Sequence, residues 1–355
     1  MKKNAILLVF LLTLAGGLAA ERVAVLGGVF KPSMIDIAGD RLFVMDVDKV
    51  RVYSLKDYRH IISFGRKGSG PGEYNVTRVM PLRILAHRDY LMVEAINKLL
   101  FFTHDGEYQR EIKKFPMLNI VQPAGNGFVG RRIIQPDDAS LSTSSVWLYD
   151  SQMQEIKKIF QQDFIQQGGF PNLTFKMGRD FLLFKVADDK IFVDESARGP
   201  HIGVYDLKGN RLYEITVPYQ EIPITAVDRK DIVEEISRDP HIQWQLSQFN
   251  ISWEGFSEFF KYDWPKYYPA IQTMEVNNGK LYINTFRVKE GRNEYIIMDF
   301  TGNVLKTLFI EPTVERWVMS TMMGVKLETI HDDKIYFIAE NDDEEWELGV
   351  VKVGD

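Results

Sequence analysis

Six times along this 355-residue chain a short polar turn runs into a β-branched, aromatic-rich stretch, and each time a second apolar stretch follows. The first pattern reads GDRLFVMD (39–46), RDYLMVEA (88–95), GNGFVGRR (125–132), DDKIFVDE (188–195), NGKLYINT (278–285) and DDKIYFIA (332–339). The second reads VRVYSLKD (50–57), LLFFTHDGE (99–107), VWLYDSQMQE (146–155), IGVYDLKGN (202–210), YIIMDFTGN (295–303) and LGVVKVGD (348–355). Gly-Asp, Asn-Gly and Asp-Asp make turns because they tolerate positive φ or bond their own backbone. The residues behind them suit a pleated, half-buried surface. Each copy of the first pattern reads as the second half of a hairpin. Six copies of both, in fixed order, imply six units of about four antiparallel strands. The expected fold is all-β, a six-bladed β-propeller, whose radial closure leaves few exposed edges.

The spacing of the copies locates an insertion. The first, second and last intervals fall at about 37 to 54 residues, in or near the range of propeller blades. The third and fourth are longer, and the largest excess lies at 224–270. There Ile232, Val233 and Ile236 take helical spacing, Asp228 could cap the helix and Pro240 would stop it. A mainly helical insertion between blades 4 and 5 is expected. RVAVLGGVF (22–30) precedes the first full unit, and the last unit ends after its third strand at Val353. The early strand is expected to complete the last blade.

The chain begins MKKNAILLVFLLTLAGGLAAE. Lys2 and Lys3, an apolar run over 5–14 and small residues at 17–20 form a bacterial-style signal peptide. The run is shorter than the roughly 20 residues of a membrane span. Removal of residues 1–20 would leave 21–355 as one exported domain, periplasmic or secreted, with no membrane span. The sequence has no cysteine, which excludes a lipid-anchored cysteine, thiol nucleophiles and zinc fingers. A net charge of −6 argues against a nucleic-acid partner, which favours a basic stripe.

FGRKGSGPGEY (64–74) resembles the linker G-x-x-G-x-G-P-G-E of bacterial six-bladed β-propeller proteins related to NHL-repeat proteins, the TolB-like group. WPKYYPAIQTMEVNNGKLYINTF (264–286) is similar to the segment where that group's helical insertion ends in Pro-Ala-Ile and a new blade begins. The likeness implies the same fold over nearly the whole exported chain. It implies no single activity, because propellers host binding, scaffolding and catalysis. Six-bladed relatives of the gluconolactonase or paraoxonase kind hold Ca²⁺ in the central channel with Glu, Asn and Asp. The streptogramin-lyase kind uses a channel histidine.

The residues themselves fit no catalytic template. A phosphate-binding P-loop needs Gly-Lys-Ser/Thr where this chain has Gly70-Pro71-Gly72, and a dinucleotide loop must open a helix. The glycine-rich linker is therefore expected to be structural, with Arg66, Lys67 and Glu73 as a candidate polar rim. Asp46, Glu94, Asp194, Glu195 and Glu340 are candidate Ca²⁺ ligands only if they converge, and solvated blade edges suit them better. No G-x-S-x-G elbow occurs. His87, His104, His201 and His331 are read as structural or surface residues, and the three sequons at Asn75, Asn172 and Asn250 as unmodified. Trp244, Trp253, Trp264 and Tyr267 lie in an aromatic-rich part of the insertion that either docks on the disc or receives a ligand or partner.

The expectation is a non-enzymatic binding protein, without cofactor, for a protein, small-molecule or carbohydrate partner. The rival is a Ca²⁺-dependent, lactonase-like hydrolase or a lyase using the channel. Carboxylates or Asn meeting at the axis would favour the enzyme, and an apolar or unpaired lining would favour binding. A structural spacer would show no pocket.

Overall fold

Two-residue turns set the sheets. Asp188, Asp189, Asn278, Gly279, Asp332 and Asp333 all take positive φ, between 48° and 71°. They join Ala187 to Lys190, Asn277 to Lys280 and His331 to Lys334 as closing pairs of antiparallel hairpins. Positive φ at both central residues matches the twist of the flanking strands, which explains the Asp-Asp and Asn-Gly pairs. At the other end of blades 3, 4 and 5 the second repeat closes on an aspartate, Asp150, Asp206 or Asp299. Asp206 accepts from the backbone N–H of Lys208 and Asn210, and Asp299 from Thr301 and Asn303. The Asn210 backbone N–H and side-chain amide hold the Asp206 carboxyl below the usual carboxylate range, and the Thr301 hydroxyl and Asn303 amide do so first for Asp299, with the backbone N–H groups adding to them.

The structure, a computed structural model, describes residues 20–75, 82–115, 118–134, 143–163, 166–167, 173–176, 182–195, 198–238, 243, 246–247, 250–258, 260–311 and 326–354. The expected signal peptide lies outside these residues except for Ala20, as do Trp244, Phe249, Asn172 and Pro240. Six four-stranded antiparallel sheets form the blades. Blade 1 comprises Pro32–Ala38, Arg41–Asp46, Lys49–Ser54 and His60–Phe64, and blade 2 Arg83–Ala86, Leu91–Glu94, Lys98–Phe102 and Tyr108–Lys113. Blade 3 comprises Leu118–Ala124, Gly127–Ile134, Thr143–Tyr149 and Glu155–Asp163, and blade 4 Phe184–Ala187, Lys190–Asp194, His201–Asp206 and Arg211–Thr216. Blade 5 comprises Thr273–Asn277, Lys280–Lys289, Arg292–Asp299 and Val304–Ile310. Blade 6 takes Glu328–His331, Lys334–Glu340 and Trp346–Lys352, and its outer strand is Glu21–Val25, paired antiparallel with Trp346–Lys352. The two repeat patterns are thus the second and third strands of every blade, and the early strand closes the ring as expected.

The apolar faces pack between blades. Among the described residues six buried clusters occur, one at each junction. Phe43 and Val52 of blade 1 pack with Leu91 and Leu100 of blade 2, and Ile37 and Tyr53 pack with Ile338 and Leu348 of blade 6. Sheet faces interdigitating around a ring bury every inward side chain without a single central core.

The insertion differs in detail from the expectation. Helix α1, Ala226–Arg238, is capped by Thr225 rather than Asp228. Asp228 sits three residues on, and its carboxylate accepts the Thr225 N–H at 2.7 Å while its own N–H reaches the Thr225 hydroxyl at 3.2 Å. This is a reciprocal capping box with Asp in the usual Glu place. Ile232, Val233 and Ile236 are half-buried. A short helix, α2, covers Trp253–Ser257. Phe260–Asp263 then forms a strand parallel to Leu173–Lys176, which pairs with Gln166–Gln167. The excess lengths before and after blade 4 therefore meet in one small sheet. Helical spacing cannot reveal such long-range pairing.

Candidate functional site

The innermost strands of the six blades enclose a cavity of about 240 Å³ on the axis. Their polar residues follow one register. Asp36, Gln122, Lys185, Glu275 and Thr329 each stand opposite the residue seven places later on the second strand. Blade 2 has Leu85 in that register, and Arg83 two residues earlier, which an extended strand directs to the same face.

These side chains tie each blade to the next. Asp36 accepts from the Ala86 N–H of blade 2 at 2.8 Å. Glu94 accepts from Val121 N–H of blade 3 at 3.0 Å. Gln122 donates to the Phe184 carbonyl and accepts from the Val186 N–H of blade 4. Lys185 reaches Glu275 of blade 5 at 2.8 Å, and Lys326, at the entry to blade 6, reaches the same carboxylate at 3.0 Å. The Thr329 hydroxyl donates to Asp36 at 3.1 Å and closes the circuit. An inner strand has no neighbour on its axial side, so these bonds supply the junctions with directional contacts that apolar packing lacks.

The wall is charged. Arg83, Lys185 and Lys326 share it with Asp36, Glu94 and Glu275. Lys114 is buried behind it, 3.4 Å from Glu94, and buried Arg131 is repelled by Arg83 and attracted by Glu94. Burial pushes Arg83, Lys114 and Lys185 below their ordinary values, with Glu94 or Glu275 opposing it. Burial and the Arg83 charge bring Arg131 down to about 10. Burial works against Glu275 ionising, yet the ammoniums of Lys185 and Lys326 outweigh it and hold the carboxyl at about 2. Burial also works against charge on Lys326, and there Glu275 and Asp36 win, so its pKa is raised.

This lining is neither of the two anticipated. Carboxylates do come to the axis, but cations accompany them. Of the five candidate Ca²⁺ ligands, Glu94 alone lines the cavity. Asp46 instead accepts from the N–H groups of Phe30 and Lys31 and pairs with Arg51 at 2.7 Å. Glu195 accepts from the Tyr205 hydroxyl at 2.6 Å and pairs with Arg211 at 3.1 Å. Asp194 is buried and Glu340 exposed. Among the described residues no three His, Asp or Glu side chains are grouped closely enough to hold a metal ion. His331 lines the cavity, whereas His87 stacks on Tyr90 at 4.5 Å and His201 pairs with Glu214 at 3.1 Å.

The other sequence candidates lie off the axis. Arg66 and Glu73 engage each other at 2.7 Å, and Glu73 also accepts from Gly70 N–H at 3.0 Å. The linker that contains them is a plug. Tyr74 is fully buried in the blade 1–2 cluster, and its hydroxyl donates to the Asp48 carbonyl at 2.9 Å. Gly65, at φ +106°, lies under that hydroxyl, where a Cβ would collide with it. We expect Gly65→Ala to cost at least about 2 kcal/mol, from a disfavoured backbone plus the clash. Urea denaturation measures this, and an unchanged midpoint would remove the linker's structural role. Trp253, Trp264 and Tyr267 are half-buried. Trp253 contacts Phe256, Trp264 contacts Tyr262, and Lys266 lies over Tyr267.

Apart from Glu94 and His331, the axial residues escaped the sequence reading because the repeat marks the second and third strands, not the first. A signal was present: in five blades a polar residue stands three places before the turn that opens the first pattern.

No protein-family model matches the sequence, and comparison with curated proteins finds no match either. Among solved structures, a protein of Bacteroides fragilis NCTC 9343 described as exported is similar, at 13% identity and a TM-score of 0.52, over 95% of each chain. At that identity the likeness concerns the fold. The computationally designed protein Ika8 (8% identity, TM-score 0.39, 92% of this chain and 98% of that one) is more distant. So is BamB from Moraxella catarrhalis (8% identity, TM-score 0.31, 89% and 71%).

Proposed function

We propose that this chain is an exported, non-enzymatic binding protein of the TolB-like, NHL-repeat-related kind, and that its ligand occupies the axial cavity. One observation carries the reading: all the blades contribute to a single cavity whose carboxylates are already engaged by ammonium groups, a hydroxyl or backbone N–H donors. Calcium takes about six to eight oxygens. Here Asp36, Glu94 and Glu275 would have to abandon their partners, and Lys185, Lys326 and Arg83 would repel the ion. That weighs against the channel hydrolase. The leader-like segment supports export to the periplasm or beyond. Among the described residues no helix is long and apolar enough to cross a membrane.

Together with Trp244, which lies outside the described residues, the half-buried rings of Trp253, Trp264 and Tyr267 are the proposed seat of a larger partner, the described rings supplying the contact. Their exposed portions offer large contact area at small entropic cost. Arg66 and Glu73 are secondary candidates for that contact.

Adding Ca²⁺ to chelator-treated protein is expected to leave the thermal midpoint within about 1 °C of its starting value. A ligand at a hundred times its Kd adds about 2.7 kcal/mol, a shift of several degrees. A saturating Ca²⁺-dependent rise of that size would favour the hydrolase instead.

A further inference from the structure

We propose that the axial cavity selects a compact anion, carrying carboxylate or phosphate groups, and holds it on Lys185 and Lys326. This deepens the binding reading and rests on it. The geometry already contains a template. The Glu275 carboxylate bridges the Lys185 and Lys326 ammoniums at 2.8 and 3.0 Å, as a ligand's acid group would. Each ammonium has three donors, and Glu275 engages each of them once among the described residues. Donors therefore remain on both lysines for a second acid group beside Glu275.

The charge balance points the same way. Among the described residues of the wall and its backing, Arg83, Lys114, Arg131, Lys185 and Lys326 face Asp36, Glu94 and Glu275. Lys185 and Lys326 share the one Glu275 carboxylate between them, so the two ammoniums outnumber the acid group they both reach. Arg83 is coupled to Glu94, Glu275 and Asp36, and it repels Lys114, Arg131 and Lys326, so the groups form one electrostatic cluster. Cations gathered out of bulk water are costly unless anions answer them. A small anion beside Glu275 would answer the second of these ammoniums without displacing that carboxylate. The chain as a whole carries −6, so the cavity is a local positive site in an acidic protein, and its low-dielectric walls concentrate that field.

Size and shape narrow the class. A volume of about 240 Å³ is below the roughly 300–1,000 Å³ typical of drug-sized ligand sites. A peptide or an oligosaccharide does not fit, whereas a small dicarboxylate or phosphorylated metabolite does. Met34, Leu85, Met92 and Val276 complete the lining and suit a short carbon skeleton between or beside the acid groups.

Thermal midpoints of the wild-type protein, at constant ionic strength, test this with inorganic phosphate, succinate, its neutral analogue succinamide, and chloride. Phosphate or succinate should give a saturable rise, and succinamide and chloride none. The stronger of the two dianions tells a phosphate group from a carboxylate. Lys326→Gln should weaken binding by at least about tenfold, the scale of one charge-assisted hydrogen bond. Glu275→Gln should tighten it, because the competing internal carboxylate loses its charge. If Lys326→Gln fails to fold, the wild-type contrast between succinate and succinamide decides alone. Equal shifts with both, or with chloride, overturn the anion inference, as does unchanged affinity in a folded Lys326→Gln. Binding of succinamide alone would sink the anion inference while the binding propeller stands. A Ca²⁺-dependent shift with no anion effect would overturn both.

Discussion

A chain lacking residues 20–29 is expected to lose at least about 5 kcal/mol of stability, a large share of the 5–15 kcal/mol typical of a folded domain. Those residues supply the outer strand of blade 6, Glu21–Val25, paired with Trp346–Lys352. They also supply Leu26, fully buried in the blade 6–1 cluster, flanked by half-buried Val23 and Val29. Burying one such leucine contributes about 1.5–3 kcal/mol. The Tyr53 hydroxyl would lose the Gly27 carbonyl it donates to at 3.0 Å, for about 1 kcal/mol more. Beyond these sums, the ring would open. Trp346–Lys352 would become an unpaired sheet edge, a template for association. A midpoint drop of about 10 °C or more, with aggregates in size-exclusion chromatography, is the expected result. A monomer that melts as before would show that closure adds nothing.

Replacing Glu275 by alanine should have the second large effect. It strands Lys185 and Lys326, about a fifth exposed, on one side of the cavity. Removing one member of a buried ion group costs about 3–5 kcal/mol, and cavity water should bring this case toward the lower end. Acid should reproduce the loss gradually. The Glu275 pKa falls from an ordinary 4.5 to about 2 in the folded protein. A carboxyl depressed on folding stabilises fully above its unfolded pKa and loses that contribution as pH falls through the folded one. The window is therefore pH 4.5 down to 2. The cost of keeping Lys185 charged, seen in its lowered pKa, offsets part of the gain at neutral pH. Denaturation midpoints for wild type and Glu275→Ala should converge as pH drops through that window. A gap that persists unchanged at pH 2 would assign the difference to packing instead.

Much of this architecture is legible because its signals are local. Asp188-Asp189, Asn278-Gly279 and Asp332-Asp333 announce hairpins, and the runs after them announce strands. Tyr74 and the glycines of FGRKGSGPGEY state a backbone geometry that few sequences require. Even the ring closure shows, since an apolar strand at 22–30 needs a partner and blade 6 lacks one. Thr225 was missed as the cap of α1 because Asp228 is equally suited to that place by type, and only the backbone shows which residue precedes the first turn. The sheet formed by Leu173–Lys176 and Phe260–Asp263 was missed because its strands lie over eighty residues apart and carry no shared pattern.

By itself, then, the sequence determined the repeat, the blade count, the closing strand and the place of the insertion, because each follows from short-range turn chemistry and strand alternation. The tertiary structure alone decided what the axis is made of. Alternation puts Asp36, Lys185 and Glu275 at one register of their innermost strands, but it does not say what they meet. Their neighbours come from other blades, up to 293 residues away, as Thr329 does for Asp36. Only the closing of six sheets around one line sets Lys185 and Lys326 against Glu275, Lys114 against Glu94 and Thr329 against Asp36.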